Sequence, residues 1–172
     1  MLSTWLTRAI PPSWRFRPEE SKQVRGQIVA TAGWATLLAA AGRVMQWRVE
    51  LIAAYIGAIA TVSADGWATR VGMLGLQKPR LSATMRPVAH GTPGAISLLG
   101  TTAALAAAWL SGLVGVGAAL IAASLSETRY WDRAMLWLPL SAVLGGLAGA
   151  RLDSFLGATA QAYYYCENCN AY

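Results

Sequence analysis

Two carboxylates stand beside hydrophobic stretches of the chain, where acidic side chains are uncommon. Asp65 follows the apolar run Val49 to Ala64, and Asp153 follows the apolar run Ala134 to Ala150. A carboxylate in such a setting is costly to keep from water, so it usually faces a protein interior or a water-filled cavity. Because carboxylates can hold Mg²⁺ and the ion bridges phosphate oxygens, the pair indicates a metal-assisted phosphate site.

Between the two carboxylates, residues 70–93 form a polar segment that is basic and contains no acid. Its basic side chains are Arg70, Lys78, Arg80, Arg86 and His90. Arginine and lysine neutralise the charge of a bound phosphate. The segment ends in His-Gly-Thr-Pro-Gly, where Gly91, Thr92 and Gly94 would present backbone N–H groups to an anion at the start of a helix. Together these features favour phosphoryl or nucleotidyl transfer on an amphiphilic substrate.

Each of these features also has a simpler structural interpretation. Asp65 could cap its helix or pair with Arg70, and Asp153 could pair with Arg151 or Arg70. The basic segment could be only a topology signal that contacts lipid headgroups, and residues 91–94 could be an ordinary turn into a helix. The convergence of all of them on one membrane face favours the functional interpretation.

The composition indicates a helical membrane protein with one domain. Of the 172 residues, 55% are hydrophobic and 13% are charged, and the mean hydropathy is +0.40. An ordinary soluble domain carries about 25% charged residues, so this chain has too few charges to cover a soluble enzyme. The same values exclude an intrinsically disordered chain, which needs low hydrophobicity and high charge.

Four hydrophobic runs predict an all-α, polytopic membrane protein with about four to five transmembrane helices. The runs are 26–42, 49–64, 94–126 and 134–150, and the last continues as a helix to Gln161. One span needs about 20 residues, so we expect the long third run to span at 95–111, break near Gly112 to Gly117, and continue as a second helical segment. Pro139 is expected to kink the last helix.

The predicted membrane domain covers residues 26–161, with a cytoplasmic loop at 70–93, and has a short segment on either side. Residues 1–25 form a basic arm that contains proline, and residues 162–172 form a tail with Cys166 and Cys169. The Cys-x-x-Cys spacing matches half of a zinc site, but a closed structural site needs four ligands. Free thiols are the simpler interpretation, and a site shared by two chains is the alternative.

The net charge of +6 first indicates how the chain is oriented in the membrane. With the N-terminus cytoplasmic, nine basic residues fall on the cytoplasmic side and four on the other, which agrees with the positive-inside rule. We expect an integral membrane protein of the cell inner membrane or an organelle envelope, with the lipid bilayer as a partner. The sequence does not determine the oligomeric state. Tryptophan and tyrosine near the ends of the runs indicate interfacial anchoring, so no nucleic-acid partner is expected.

Four motifs follow one another through the region that holds both carboxylates. They are Ala-Asp-Gly-Trp-Ala-Thr-Arg-Val-Gly-Met-Leu (64–74), Lys-Pro-Arg-Leu (78–81), Arg-Pro-Val-Ala-His-Gly-Thr-Pro-Gly-Ala-Ile-Ser-Leu-Leu-Gly-Thr (86–101) and Leu-Asp-Ser-Phe-Leu-Gly-Ala-Thr-Ala-Gln (152–161). In this order they resemble the integral-membrane family that includes phytyl-phosphate kinase and transmembrane protein 19. The resemblance extends over about residues 22–169.

The resemblance implies transfer of a phosphoryl group from a nucleoside triphosphate, in the first place CTP, to an isoprenyl monophosphate such as phytyl phosphate. Asp65 and Asp153 would serve Mg²⁺ and, with Lys78 and Arg80, form the catalytic set. The implied phosphate and substrate contacts are Arg86, His90, Gly91, Thr92, Gly94, Ser154 and Gln161.

The chain departs from the family pattern at three places. Gly66 and Arg70 stand where the family usually has threonine and glutamate. A polar arm precedes Gln23 where the family usually has further hydrophobic helices, and the chain stops three residues after Cys169 where the family often continues with more polar sequence. We therefore expect a truncated or divergent member. Two functions follow: a membrane-bound isoprenyl-phosphate kinase, or a non-catalytic membrane protein that is a degenerate member or a lipid-binding scaffold.

Overall fold

The computed structural model describes residues 33–45, 48–125 and 132–160, most of which are helical. Within these ranges the helices are α1 (visible over 33–44), α2 (Val49–Gly72), α3 (Leu98–Leu125) and α4 (Leu138–Thr159). A 3₁₀ turn, Arg133–Trp137, leads into α4. The strands β1 (Arg80–Leu81) and β2 (Ala95–Ile96) pair antiparallel between α2 and α3.

Three helical segments in the described ranges are long and apolar enough to cross a membrane: α2, α3 and Arg133–Thr159. Many of their large apolar side chains are exposed, among them Leu105, Trp109 and Leu113 of α3, which suits contact with lipid chains. A helix satisfies its own backbone hydrogen bonds, so it is the form such an apolar sequence takes in a bilayer. The predicted all-α polytopic class is confirmed. Because the run 26–42 is described only from residue 33, the total of four to five spans stays a prediction.

The surface where α2, α3 and α4 pack together is built from small residues. Its buried members are Ala60, Ala64, Ala104, Ala108, Ala142 and Ala150. Lipid chains are as apolar as the core, so membrane helices associate through close packing, which small residues permit. Thr61 of α2 adds a polar link, since its hydroxyl donates to the carbonyl of Gly145 in α4 at 3.1 Å.

The predicted break near residues 112–117 is wrong, because α3 continues through all of them. The glycines there serve helix contact. A Cβ on Gly112 would lie 3.0 Å from the nitrogen of Pro139, and one on Gly115 would lie 2.9 Å from Cδ1 of Ile56. The 28-residue helix is therefore one long segment with its small face against its neighbours.

The kink expected at Pro139 is also wrong, because this proline lies in the first turn of α4. Proline is tolerated there since the first amides of a helix have no intrahelical acceptor. The preceding 3₁₀ turn is capped by Asp132, whose carboxylate accepts from the backbone N–H of Ala134 at 2.9 Å.

The basic segment is folded rather than open. Helix α2 continues to Gly72, so Arg70 is helical and the polar connection starts later than residue 70. The connection, residues 73–97, folds back on itself, with Arg80 opposite Ile96 in the sheet. It is fastened to α4 by Ser82, whose hydroxyl donates to the carbonyl of Ser154 at 2.9 Å.

Candidate functional site

A cavity of about 240 Å³ lies at the end of the bundle where α2 ends, α3 begins and α4 ends. The three helices alternate in direction, as shown by Gly72 beside Gly100 at this end and Gly112 beside Pro139 at the other. The connection before α3 supplies a fourth wall, residues 91–97. Segments far apart in the sequence thus meet around one space.

Helix α2 presents one face to the cavity through Asp65, Ala68, Thr69 and Gly72. Their spacing of i, i+3, i+4 and i+7 places them on the same side of a helix. Asp65 is half-buried and lies inside α2 rather than at its end, where the sequence had placed it. The hydroxyl of Thr69 donates to the backbone carbonyl of Asp65 at 3.0 Å rather than to its carboxylate.

Helix α4 contributes the second carboxylate and a cation. Asp153, Ser154 and Arg151 all line the cavity. Asp153 and Arg151 are exposed, and Ser154 is half-buried. The carboxylates of Asp65 and Asp153 are close enough for their charges to repel each other. Bringing two like charges together is unfavourable unless a cation offsets them.

Neither carboxylate forms an ion pair within the described ranges. Arg70 lies five positions after Asp65, which on a helix is about 140° away, and it is exposed outside the cavity. It stands in the last turn of α2, where a cation interacts favourably with the helix dipole. The structural interpretations in which these aspartates pair with Arg70 or Arg151 are therefore not what the structure shows.

The beginning of α3 supplies a positive helix end to the cavity. The hydroxyl of Ser97 accepts from the backbone N–H of Gly100 at 3.0 Å, which caps the helix. Ser97 and Thr101 both line the cavity. Free N–H groups and the dipole at a helix N-terminus favour an anion, so the cavity combines two carboxylates with groups that attract phosphate.

The two glycines of the His-Gly-Thr-Pro-Gly stretch have positive φ angles, 85° for Gly91 and 71° for Gly94. Gly94 is crowded, because a Cβ there would lie 2.5 Å from the carbonyl oxygen of Ser154 and 2.6 Å from Cβ of Ala158. Gly91 has no atom within 4 Å of a Cβ position. The absence of a side chain at Gly94 thus lets the connection pack closely against α4. Gly91 makes no such contact, and the space around its Cβ position is open.

Six of the predicted site residues meet at this cavity: Asp65, Asp153, Gly91, Thr92, Gly94 and Ser154. Four others do not line it: Lys78, Arg80, Arg86 and His90. They are exposed on the folded connection, so their phosphate contacts stay a prediction. Gln161 and the pair Cys166 and Cys169 lie outside the described residues.

The sequence reasoning missed four polar residues as members of the site: Arg151, Ser97, Thr69 and Thr101. The sequence indicates Arg151 only as a structural partner of Asp153. A signal existed in its spacing, because Arg151 stands three residues before Ser154 and so shares a helical face with it. Ser97 precedes the apolar start of α3 in the position of a typical N-cap.

The donor set at the cavity fits Mg²⁺ and does not fit a closed structural metal site. Within the part of the chain that the structure describes, no group of three or more His, Cys, Asp or Glu side chains could hold a metal. Magnesium keeps several waters and is usually bound through one or two carboxylates together with substrate phosphates. Asp65 and Asp153 are such a pair.

Comparison with known proteins adds the family. A family model described as integral membrane protein DUF92 matches residues 15–172. The chain belongs to this family. Membership confirms the resemblance drawn from the four motifs, and the match includes every residue of the cavity.

Relatives of the DUF92 chain occur in plants, archaea and cyanobacteria. It is 40% identical over 117 residues to Protein PGR of Arabidopsis thaliana. The aligned region covers 68% of the chain and 40% of that protein. It is 35% identical over 104 residues to an uncharacterized membrane protein of Methanocaldococcus jannaschii, which covers 60% of the chain and 38% of that protein. It is 35% identical over 75 residues to an uncharacterized membrane protein of Synechocystis, which covers 44% of the chain and 29% of that protein.

The chain spans about two fifths of the length of the first two of these relatives. No solved structure matches it.

Proposed function

We propose that the chain transfers a phosphoryl group from a nucleoside triphosphate, in the first place CTP, to an isoprenyl monophosphate. The observation that carries the proposal is the cavity in which Asp65 and Asp153, without ion-pair partners in the described ranges, face Arg151 and the N-terminus of α3. The family resemblance supplies the substrate class. The exposed apolar surfaces of the helices would keep the lipid part of the substrate in the bilayer.

Phosphoryl transfer places two phosphate groups side by side, so its main requirement is positioning and charge compensation. Bound Mg²⁺ would supply positive charge shared between phosphate oxygens. Asp65 and Asp153 would hold the ion, while the guanidinium of Arg151 can donate two parallel hydrogen bonds to a phosphate. A phosphate monoester is already ionised near neutral pH, so no general base is required of the protein.

The size of the cavity fits the reacting phosphates rather than two whole substrates. Its volume of about 240 Å³ lies below the roughly 300–1,000 Å³ of pockets that enclose a complete small ligand. The base and sugar of the nucleotide and the isoprenoid chain would then extend beyond it.

The proposal is tested by turnover of the protein in lipid nanodiscs, with geranylgeranyl monophosphate, CTP and Mg²⁺. We expect diphosphate product from the wild type and a loss of at least about a hundred-fold in Asp65→Asn, because removing a group that stabilises the transferring phosphate has effects of this order. Glu50→Gln is the matched control, since Glu50 lies in the first turn of the same helix, away from the cavity. No turnover with any nucleoside triphosphate would overturn the proposal.

A second function, a lipid-binding scaffold without catalysis, is favoured by one observation. The cations Lys78, Arg80 and Arg86 are exposed on the connection and do not line the cavity. Such a surface attracts anionic headgroups. Binding to anionic vesicles without any turnover would support the scaffold.

Because Arg70 is also outside the cavity, we expect Arg70→Glu to leave turnover within about two-fold of the wild type, as for an exposed charge.

A further inference from the structure

A second cavity, larger and more apolar than the first, lies between the segment that follows α2 and the first turns of α3. It has a volume of about 470 Å³. We call it the apolar groove, and its lining residues are Leu74, Gly75, Leu76, Gln77, Ser97, Leu98, Leu99 and Thr102. Leu76 is fully exposed and Leu98 is 75% exposed, so the groove is a surface that a further apolar molecule can cover.

The apolar groove lies directly beside the first cavity, which contains Asp65 and Asp153 and which we call the carboxylate cavity. Ser97 lines both. Beside it α2 and α3 approach closely, since a Cβ on Gly72 would lie 3.0 Å from the hydroxyl oxygen of Ser97 and 3.4 Å from Cα of Gly100. One serine and the backbone of two glycines therefore separate a polar space that suits phosphate from an apolar space of about twice its volume.

We propose that the apolar groove binds the hydrocarbon chain of the phosphate-bearing substrate, starting with the carbons nearest the phosphate. This inference rests on the proposed function, because it takes the phosphate to lie in the carboxylate cavity. A monophosphate held there would have its ester carbon near Ser97, and the chain would continue along the leucines. Leu74 to Gln77 follow directly on the end of α2, a helix long and apolar enough to cross a membrane.

The assay measures binding rather than turnover, so it succeeds or fails separately from the proposed function. The full chain in nanodiscs is titrated with geranylgeranyl monophosphate, and separately with inorganic phosphate, in the presence of Mg²⁺. Thr102→Trp fills the groove from the exposed side of α3. Val114→Trp is the matched control, because Val114 is exposed on the same helix and lines neither cavity.

We expect Thr102→Trp to weaken geranylgeranyl monophosphate binding about ten-fold, which corresponds to losing the burial of roughly two CH₂ groups. Inorganic phosphate should bind equally to wild type and variant. Leu74→Gln, at a position that is 66% exposed and outside the packed core, should reproduce the effect. Equal affinities for the long-chain ligand in wild type, Thr102→Trp and Leu74→Gln, or an equal loss in Val114→Trp, would overturn the proposal.

Discussion

Gly91 and Gly94 offer a matched pair of substitutions that tests how the connection is held against the bundle. Both have positive φ angles, 85° and 71°. Alanine at either position therefore incurs the strain of a left-handed conformation, about 1–2 kcal/mol. Only Gly94 is also in close contact with α4. The pair thus separates backbone strain from loss of the contact that forms one wall of the cavity.

The contact between Gly94 and α4 determines how much more Gly94→Ala destabilises the docked connection than Gly91→Ala does. A Cβ there would lie 2.5 Å from the carbonyl oxygen of Ser154, closer than real atoms approach, so the connection must move away from α4. It would then lose the hydrogen bond from the Ser82 hydroxyl to the Ser154 carbonyl, 2.9 Å, which joins the connection to α4. At about 1 kcal/mol for this bond added to the backbone strain, Gly94→Ala should destabilise the docked connection by about 2–3 kcal/mol, against about 1–2 kcal/mol for Gly91→Ala.

Hydrogen exchange over residues 78–97 measures this docking directly. Local opening becomes tenfold easier for every 1.4 kcal/mol, so exchange should rise roughly thirty- to a hundred-fold in Gly94→Ala and about ten-fold in Gly91→Ala. Equal exchange in the two variants would refute the reasoning, because it would mean that the contact between Gly94 and α4 contributes nothing. The amides of α3 serve as an internal reference that should not change.

Three further predictions concern helix packing and phosphate binding. Thr61→Val removes the hydrogen bond to the Gly145 carbonyl and should lower stability in detergent by about 0.6 kcal/mol, the typical value for such bonds in membranes; thermal unfolding checks it. Gly112→Leu should lower stability by about 3 kcal/mol or more through overpacking, whereas Gly117→Leu, at a position with no neighbour within 4 Å, should be tolerated. Arg151→Gln should raise KM for the nucleotide about ten-fold by removing a charge-assisted phosphate contact, but Arg86→Gln, exposed outside the cavity, should change it less than about two-fold.

The fold class could be predicted from the sequence because it depends on hydropathy alone. The long uncharged runs around α3 and α4 specify membrane helices whatever their neighbours are. The errors at Gly112 and Pro139 have one cause. Glycine and proline are local breakers in an isolated helix, but here one allows close helix contact and the other begins a helix. Neither role can be recognised before the partner helix is known.

The site was predictable where it depends on helix periodicity and not where it depends on the path of the connection. Asp65 and Asp153 share a cavity because both lie near the same end of alternating helices. Lys78 and Arg80 adjoin the site in sequence but lie outside the cavity, although Pro79 between them lines it. Pairing of two-residue strands has too weak a sequence pattern to be anticipated.

Binding of Mn²⁺ to the protein in nanodiscs is the most direct test of the claim that Asp65 and Asp153 act as one cation site. Mn²⁺ substitutes for Mg²⁺ in oxygen-ligand sites and can be followed by electron paramagnetic resonance. We expect one site whose affinity falls at least ten-fold in Asp65→Asn and in Asp153→Asn, with the double variant little weaker than either, since ligands of one ion are coupled. Glu50→Gln should bind as the wild type does. Unchanged Mn²⁺ affinity in both aspartate variants would contradict the account.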